Sequence, residues 1–143
     1  MLKIQKSVIT PFTAEQMYNL VSDIENYKHY LPWCPASKVI SKDANVTVGR
    51  VDISYLKVST SFTTKNINTP CTRIDLSLVD GPFKQLSGFW QFTQLGEKGC
   101  KIEFNLSYQF NNFIIEKVIG KVFEFVIKNI VDSFVKKANE IYR

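Results

Sequence analysis

Few residues of this chain could carry covalent or acid–base chemistry. His29 is the one histidine. It could serve as the base of a Ser-His-Asp triad, but no serine sits in the glycine-flanked turn that exposes such a nucleophile. Its neighbours Tyr27, Tyr30 and Trp33 point instead to a structural or surface role. Cys34, Cys71 and Cys100 are far apart, odd in number and without a Cys-x-x-Cys pair, which argues against a disulfide framework and a zinc site. Buried, reduced thiols are the simpler reading. Asp52, Asp75 and Glu103 fall at alternating positions of strand-like runs, on what should be the solvated face. Asp80 precedes Gly81-Pro82, where a short carboxylate can bond the turn backbone. No phosphate-cradling glycine motif is present. Nothing in these residues demands an enzyme, a metal or a cofactor.

The elements that would position them follow from periodicity. Lys3 to Ile9 reads as a strand, stopped by Pro11. Thr13 and Gln16 have the spacing of a capping box, with Phe12 and Met17 placed as a hydrophobic staple. The helix they start runs to about Asp23. An aromatic segment from Tyr27 to Pro35 follows, and its prolines end any helix there. From Ser37 to Asn111 the pattern is strand after strand. Val46 to Tyr55 follows a Lys42–Asn45 turn. Val58 to Ile67 is rich in Ser and Thr, which predicts a strand with one wet face. Ile74, Leu76 and Leu78 alternate with polar residues, as do Leu86, Gly88, Trp90 and Phe92. Ile102 to Phe110 is the cleanest period-two run in the chain.

A proline-free run from Phe113 to Tyr142 closes the sequence. Ile115, Val118, Ile119, Val122, Val126, Ile130, Phe134, Ala138 and Ile141 recur at helical spacing, opposite a line of Lys117, Lys121, Glu124, Lys128 and Asp132. The apolar face is broader than the ~100° stripe of an ordinary surface helix. Gly120 lies inside this helix, and close packing against a sheet is its expected reason. One long helix after one antiparallel sheet predicts an α+β domain, residues 1–143, in which the sheet curls around the helix. A cavity can remain between the two.

Bulk composition excludes several classes. With 45% apolar and 13% aromatic residues, the chain has ample material for a packed core and is far from disorder. Eleven phenylalanines fit either plain core filling or a lined cavity. A net charge of +5 suits a nucleic-acid surface, an anionic membrane face or simple solubility, and only Lys136-Lys137 is a basic pair. The start lacks the apolar stretch of a signal peptide, and no apolar run reaches the ~18 residues of a membrane span. A cytoplasmic protein, with contact at the inner-membrane surface as an option, is the expectation.

The run Val79-Asp80-Gly81-Pro82-Phe83-Lys84-Gln85-Leu86-Ser87-Gly88-Phe89-Trp90-Gln91-Phe92 resembles a signature of the coenzyme Q-binding family, which also contains the bacterial ribosome-association toxins. Asp23 to Cys34 resembles that family's early Asp…Tyr…Leu-Pro-x-Cys stretch, and Phe62-Thr63-Thr64-Lys65-Asn66 its middle strand. Lys28 departs from the pattern, because many relatives have proline there. The resemblance spans about Ile4 to Tyr142. It implies a START-like helix-grip fold, a curved antiparallel sheet of about seven strands wrapped around the last helix. It also implies a hydrophobic tunnel for a lipid-like molecule. In such a fold Leu76, Leu78, Trp90, Phe92, Phe104, Leu106 and Tyr108 on the dry face would meet Val122 and Val126. Each of them could equally be ordinary core.

Two functional readings follow from the resemblance. The first is binding and delivery of ubiquinone or a related isoprenoid lipid in support of respiration, with no covalent step. Tail burial would supply the affinity, and Tyr55 or Tyr108 would orient the head. The second is a toxin-like protein that binds the large ribosomal subunit and blocks subunit association. Lysines would meet RNA phosphates and aromatics would stack on unpaired bases. DNA is not an expected partner. A polyketide aromatase or cyclase, implied by the wider superfamily, ranks last for lack of a catalytic constellation.

Overall fold

The computed structural model describes every residue, Met1–Arg143. Strand β1 (Leu2–Thr10) leads into helix α1 (Ala14–Val21), a 3-10 turn (Ile24–Asn26) and the single-turn helix α2 (Tyr27–Tyr30). Strands β2 (Ser37–Asp43), β3 (Val46–Tyr55), β4 (Val58–Thr69), β5 (Arg73–Asp80), β6 (Phe83–Leu95) and β7 (Gly99–Phe110) follow, then helix α3 (Phe113–Ile141). The capping box is present in both directions. The Gln16 N–H donates to the Thr13 hydroxyl at 3.1 Å, and the Thr13 N–H donates to the Gln16 side chain at 2.9 Å.

The strands form one antiparallel sheet in the order β1-β7-β6-β5-β4-β3-β2. Chain order is kept across the sheet except that β1 closes the far edge against β7, in register from Leu2 opposite Tyr108 to Thr10 opposite Cys100. The period-two run of β7 therefore lies in the sheet interior, between β1 and β6. Its even-numbered residues Ile102, Phe104, Leu106, Tyr108 and Phe110 are all buried. The acids expected on the wet face lie there, each beside a cation two residues away in its own strand. Arg50 pairs with Asp52, Arg73 with Asp75 and Lys101 with Glu103. Asp80 accepts the Gly81 N–H at 3.0 Å, the expected turn bond.

Helix α3 is 29 residues long and rises ~43 Å. The curved sheet wraps it, and the two share a single buried cluster of 33 residues with α1. The buried stripe of α3 runs Ile119, Val122, Phe123, Val126, Ile127, Ile130, Val131, Phe134 and Ala138. It is narrower than the sequence pattern predicted at both ends. Val118 is exposed because it lies on the side of the helix turned away from that stripe, and Ile141 because the last turn runs past the core; Phe113 and Ile114 are exposed as well. Gly120 also departs from expectation. A β-carbon there would meet Phe110 at 3.7 Å, an ordinary contact, so close packing does not require the glycine.

Strand β4 reverses part of the predicted wet and dry pattern. Thr64 and Asn66 are buried, while Ile67 is exposed. The inward polar pair satisfies itself in part, since the Thr64 hydroxyl donates to the side-chain amide oxygen of Asn66 at 2.7 Å. No helix of the molecule is long and apolar enough to cross a membrane.

Candidate functional site

Between the concave sheet and α3 lies a cavity of about 60 Å³. Its walls come from every layer of the fold. Trp90, Phe104 and Leu106 rise from the central strands, Leu76 from β5, Val51 and Ile53 from β3, and Phe123, Val126, Ile127 and Ile130 descend from α3. Ile24, Tyr27 and Trp33 close it from the segment around α2, and Phe62 and Leu86 complete the apolar wall. Thr64 and Asn66 are its two non-hydrophobic residues. Of the residues singled out from sequence, Leu76, Trp90, Phe104, Leu106 and Val126 come together around this space.

Five others do not line it. Phe92 is buried beside the cavity, stacked parallel to Trp90 at 6.3 Å and edge-on to Tyr18. Tyr108 sits in an aromatic cluster with Phe83, Phe110 and Phe123, its ring 4.9 Å from that of Phe123. Leu78 is half-buried at the core's margin, and Val122 is buried on α3 outside the lining. Tyr55, a sequence candidate for orienting a quinone head, is stacked on Phe125 at 4.9 Å and also lies outside. Tyr108 has its hydroxyl pushed up to about 12, first by burial and then by Glu124 and Glu116.

Sequence reasoning missed the segment Ile24–Trp33 as a wall, because it folds back over the sheet through tertiary contacts that no local period encodes. It also missed the inward Thr64 and Asn66. Their spacing of two residues from Phe62 was the available signal, masked by a Ser/Thr-rich run that read as solvated.

The cavity offers binding rather than acid–base chemistry. No Asp, Glu, His, Cys or Lys lines it. Its phenol, Tyr27, donates its hydroxyl to the Val21 carbonyl, and burial holds that hydroxyl protonated well beyond its ordinary range. One polar atom is left over. The Trp33 indole N–H is enclosed with no hydrogen-bond partner, a state that costs ~1–3 kcal/mol.

The titratable and nucleophilic groups lie elsewhere. Cys34 and Cys100 are buried with free thiols, and Cys71 is half-exposed in the β4–β5 turn. Burial pushes the Cys34 thiol up to about 11. His29 lines an open groove on the outer side of α2, with Lys28, Tyr30, Ser133, Lys136 and Lys137.

Comparison with known proteins agrees with this architecture. Residues 10–135 match the family model described as polyketide cyclase / dehydrase and lipid transport. The ribosome association toxin RatA of Escherichia coli strain K12 is 40% identical over 142 residues, covering 99% of this chain and 90% of that protein. The mitochondrial coenzyme Q-binding protein COQ10 homolog B of Xenopus laevis is 30% identical over 146 residues, covering 99% of this chain and 59% of the other. Among solved structures, the Zhui aromatase/cyclase from a Streptomyces superposes with a TM-score of 0.87 at 12% identity, over 99% and 96% of the two chains. A START superfamily protein from Mycobacterium smegmatis gives 0.68 at 19%, over 90% and 93%. Identities this low show the shared fold alone. With the family model covering most of its length and relatives near 40% identity, the chain belongs to the polyketide cyclase / dehydrase and lipid transport family and is a homologue of the ribosome association toxins.

Proposed function

We propose that this protein is a non-enzymatic interaction protein that associates with the ribosome, binding the large subunit and hindering its union with the small one. The observation that carries this reading is the near-full-length similarity to proteins named ribosome association toxin, at 40% identity over 99% of the chain. The cavity supports it by its size. At about 60 Å³ it is well below the ~150 Å³ that admits one benzene and the ~300 Å³ at which small-molecule pockets begin. A long isoprenoid tail does not fit between sheet and helix as they stand. The test is light scattering during re-association of purified subunits. Added protein should lower the rate and the final yield of joined ribosomes in proportion to its concentration. Unchanged re-association at a large excess would refute the reading.

The second reading, ubiquinone or a related lipid, draws on the COQ10 relative and on the cavity's apolar wall with one idle indole donor. It requires α3 to lift from the sheet. Organic extraction and native mass spectrometry of the purified protein test it, and a stoichiometric quinone or lipid would favour it.

A further inference from the structure

We infer that the groove between α2 and the last turns of α3 is a docking site for an RNA phosphodiester backbone. This inference rests on the ribosome reading and names the surface that would carry it. The groove holds about 450 Å³ and is lined by Lys28, His29 and Tyr30 on one side and by Lys136, Lys137 and Glu140 on the other. That volume is within the ~300–1,000 Å³ class of sites for small organic molecules, the size of a nucleotide.

Charge selects the ligand. Three lysines face one carboxylate across the hollow. Glu140 is already engaged by Lys137 at 3.2 Å. The nearby Asp23 carboxylate is occupied by Asn26 at 2.8 Å and by the Tyr30 hydroxyl at 3.0 Å. Lys136 has neither an ion-pair nor a hydrogen-bond partner. The Lys28 ammonium has only the Ser37 carbonyl, at 3.3 Å. Two other surface hollows balance their charges, with Arg50 and Asp52 in one and Lys6 and Glu103 in another, while a third holds Lys38 and Arg50 beside Asp52. The sheet's outer face balances charge through its pairs within single strands. Part of the chain's positive surplus is therefore gathered in this concave place.

Geometry adds an aromatic surface. The Lys137 ammonium lies 5.8 Å from the centre of the Tyr30 ring, so a cation and a half-exposed ring share the groove. Cations beside an aromatic ring suit a single-stranded segment, whose phosphates meet the lysines while an unpaired base stacks. Helix α3 fixes Lys136 and Lys137, and α2 fixes Lys28. The two elements pack together through Tyr27 and Phe134, whose rings are 5.2 Å apart. The two walls of the groove are thus joined through the core.

The test compares wild type, the triple variant K28Q/K136Q/K137Q and a control, K42Q/K84Q/K98Q, which removes the same net charge from exposed sites elsewhere. Binding is measured to purified large subunits, to a single-stranded RNA oligonucleotide and to phosphatidylglycerol vesicles, from about 50 to 200 mM salt. Circular dichroism checks that each variant is folded. The groove variant should bind large subunits roughly tenfold or more weakly, with a salt slope shallower by about 0.7 to 0.9 per lost phosphate contact. The control should bind nearly as wild type. Equal loss in both variants, or none in the groove variant, overturns the groove. Groove-dependent binding to vesicles but not to RNA overturns the choice of ligand. Groove-dependent binding to the oligonucleotide without binding to the large subunit upholds the groove and overturns the ribosome reading. No binding of wild type to any of the three overturns both.

Discussion

A β-carbon added at Gly88 would lie 2.1 Å from the Asn105 carbonyl oxygen and 2.9 Å from the Leu106 α-carbon. Those atoms belong to the backbone of β7 and cannot swing aside. Gly88→Ala should therefore cost about 3 kcal/mol or more in chemical denaturation, at the upper end of over-packing effects. Gly120 offers the opposite case, with its nearest neighbours at 3.5 and 3.7 Å. Gly120→Ala should stabilise the protein by about 1 kcal/mol, because alanine removes the helix penalty of glycine without a clash. Cys34 gives a pH dependence of known sign. Burial, the largest cause, raises its thiol from the ordinary 9.0 to about 11. The folded state then keeps a proton that the unfolded chain releases. That contribution is complete below pH 9 and is lost as pH rises through 11. The melting temperature of wild type should fall more steeply between these values than that of Cys34→Ala. Parallel curves would show that the thiol is solvated in the folded protein.

Helix α3 combines a deeply buried middle with a free first turn. Phe134 is fully buried, edge-on to both Tyr27 and Trp90 at 5.2 and 5.7 Å. Phe134→Ala should cost ~3–5 kcal/mol. Val118, two-thirds exposed on the same helix, should give a change within ~0.5 kcal/mol on substitution by alanine. Urea denaturation of the two variants checks both, and equal losses would mean that the helix lies differently on the sheet. These two residues also show how far sequence can be read. The apolar recurrence runs through both, yet sixteen residues at ~100° each set them about 160° apart around the axis, so Val118 points away from the stripe that carries Phe134. An apolar run broader than one face does not say which of its members the sheet covers. The alternation of β7, by contrast, gives the correct buried set because that strand is paired on both sides along its length. The antiparallel sheet and long helix were legible for that reason. Trp90, Phe104 and Val126 were legible as inward-facing. The wall from Ile24 to Trp33 was not, since it depends on a fold-back fixed by contacts such as the Ser54 N–H to the Trp33 carbonyl, 2.9 Å.

In the molecule as a whole, a small, largely apolar cavity and a basic groove on the surface underlie the proposed function. The sheet buries its apolar face on α3 and neutralises much of its outer face by local ion pairs, while a basic groove remains open beside α2. The interior provides rigidity, and about 60 Å³ of free space provides no room for a tail. The proposed activity of such a body is binding to a large anionic assembly. Its decisive measurement is co-sedimentation of the purified protein with isolated large and small ribosomal subunits at matched concentrations and moderate salt. Saturable binding to the large subunit, approaching one protein per particle, with little on the small subunit, is the expected result. No co-sedimentation, or equal and non-saturating binding to both subunits, would contradict it and leave the cavity as the place to seek the protein's ligand.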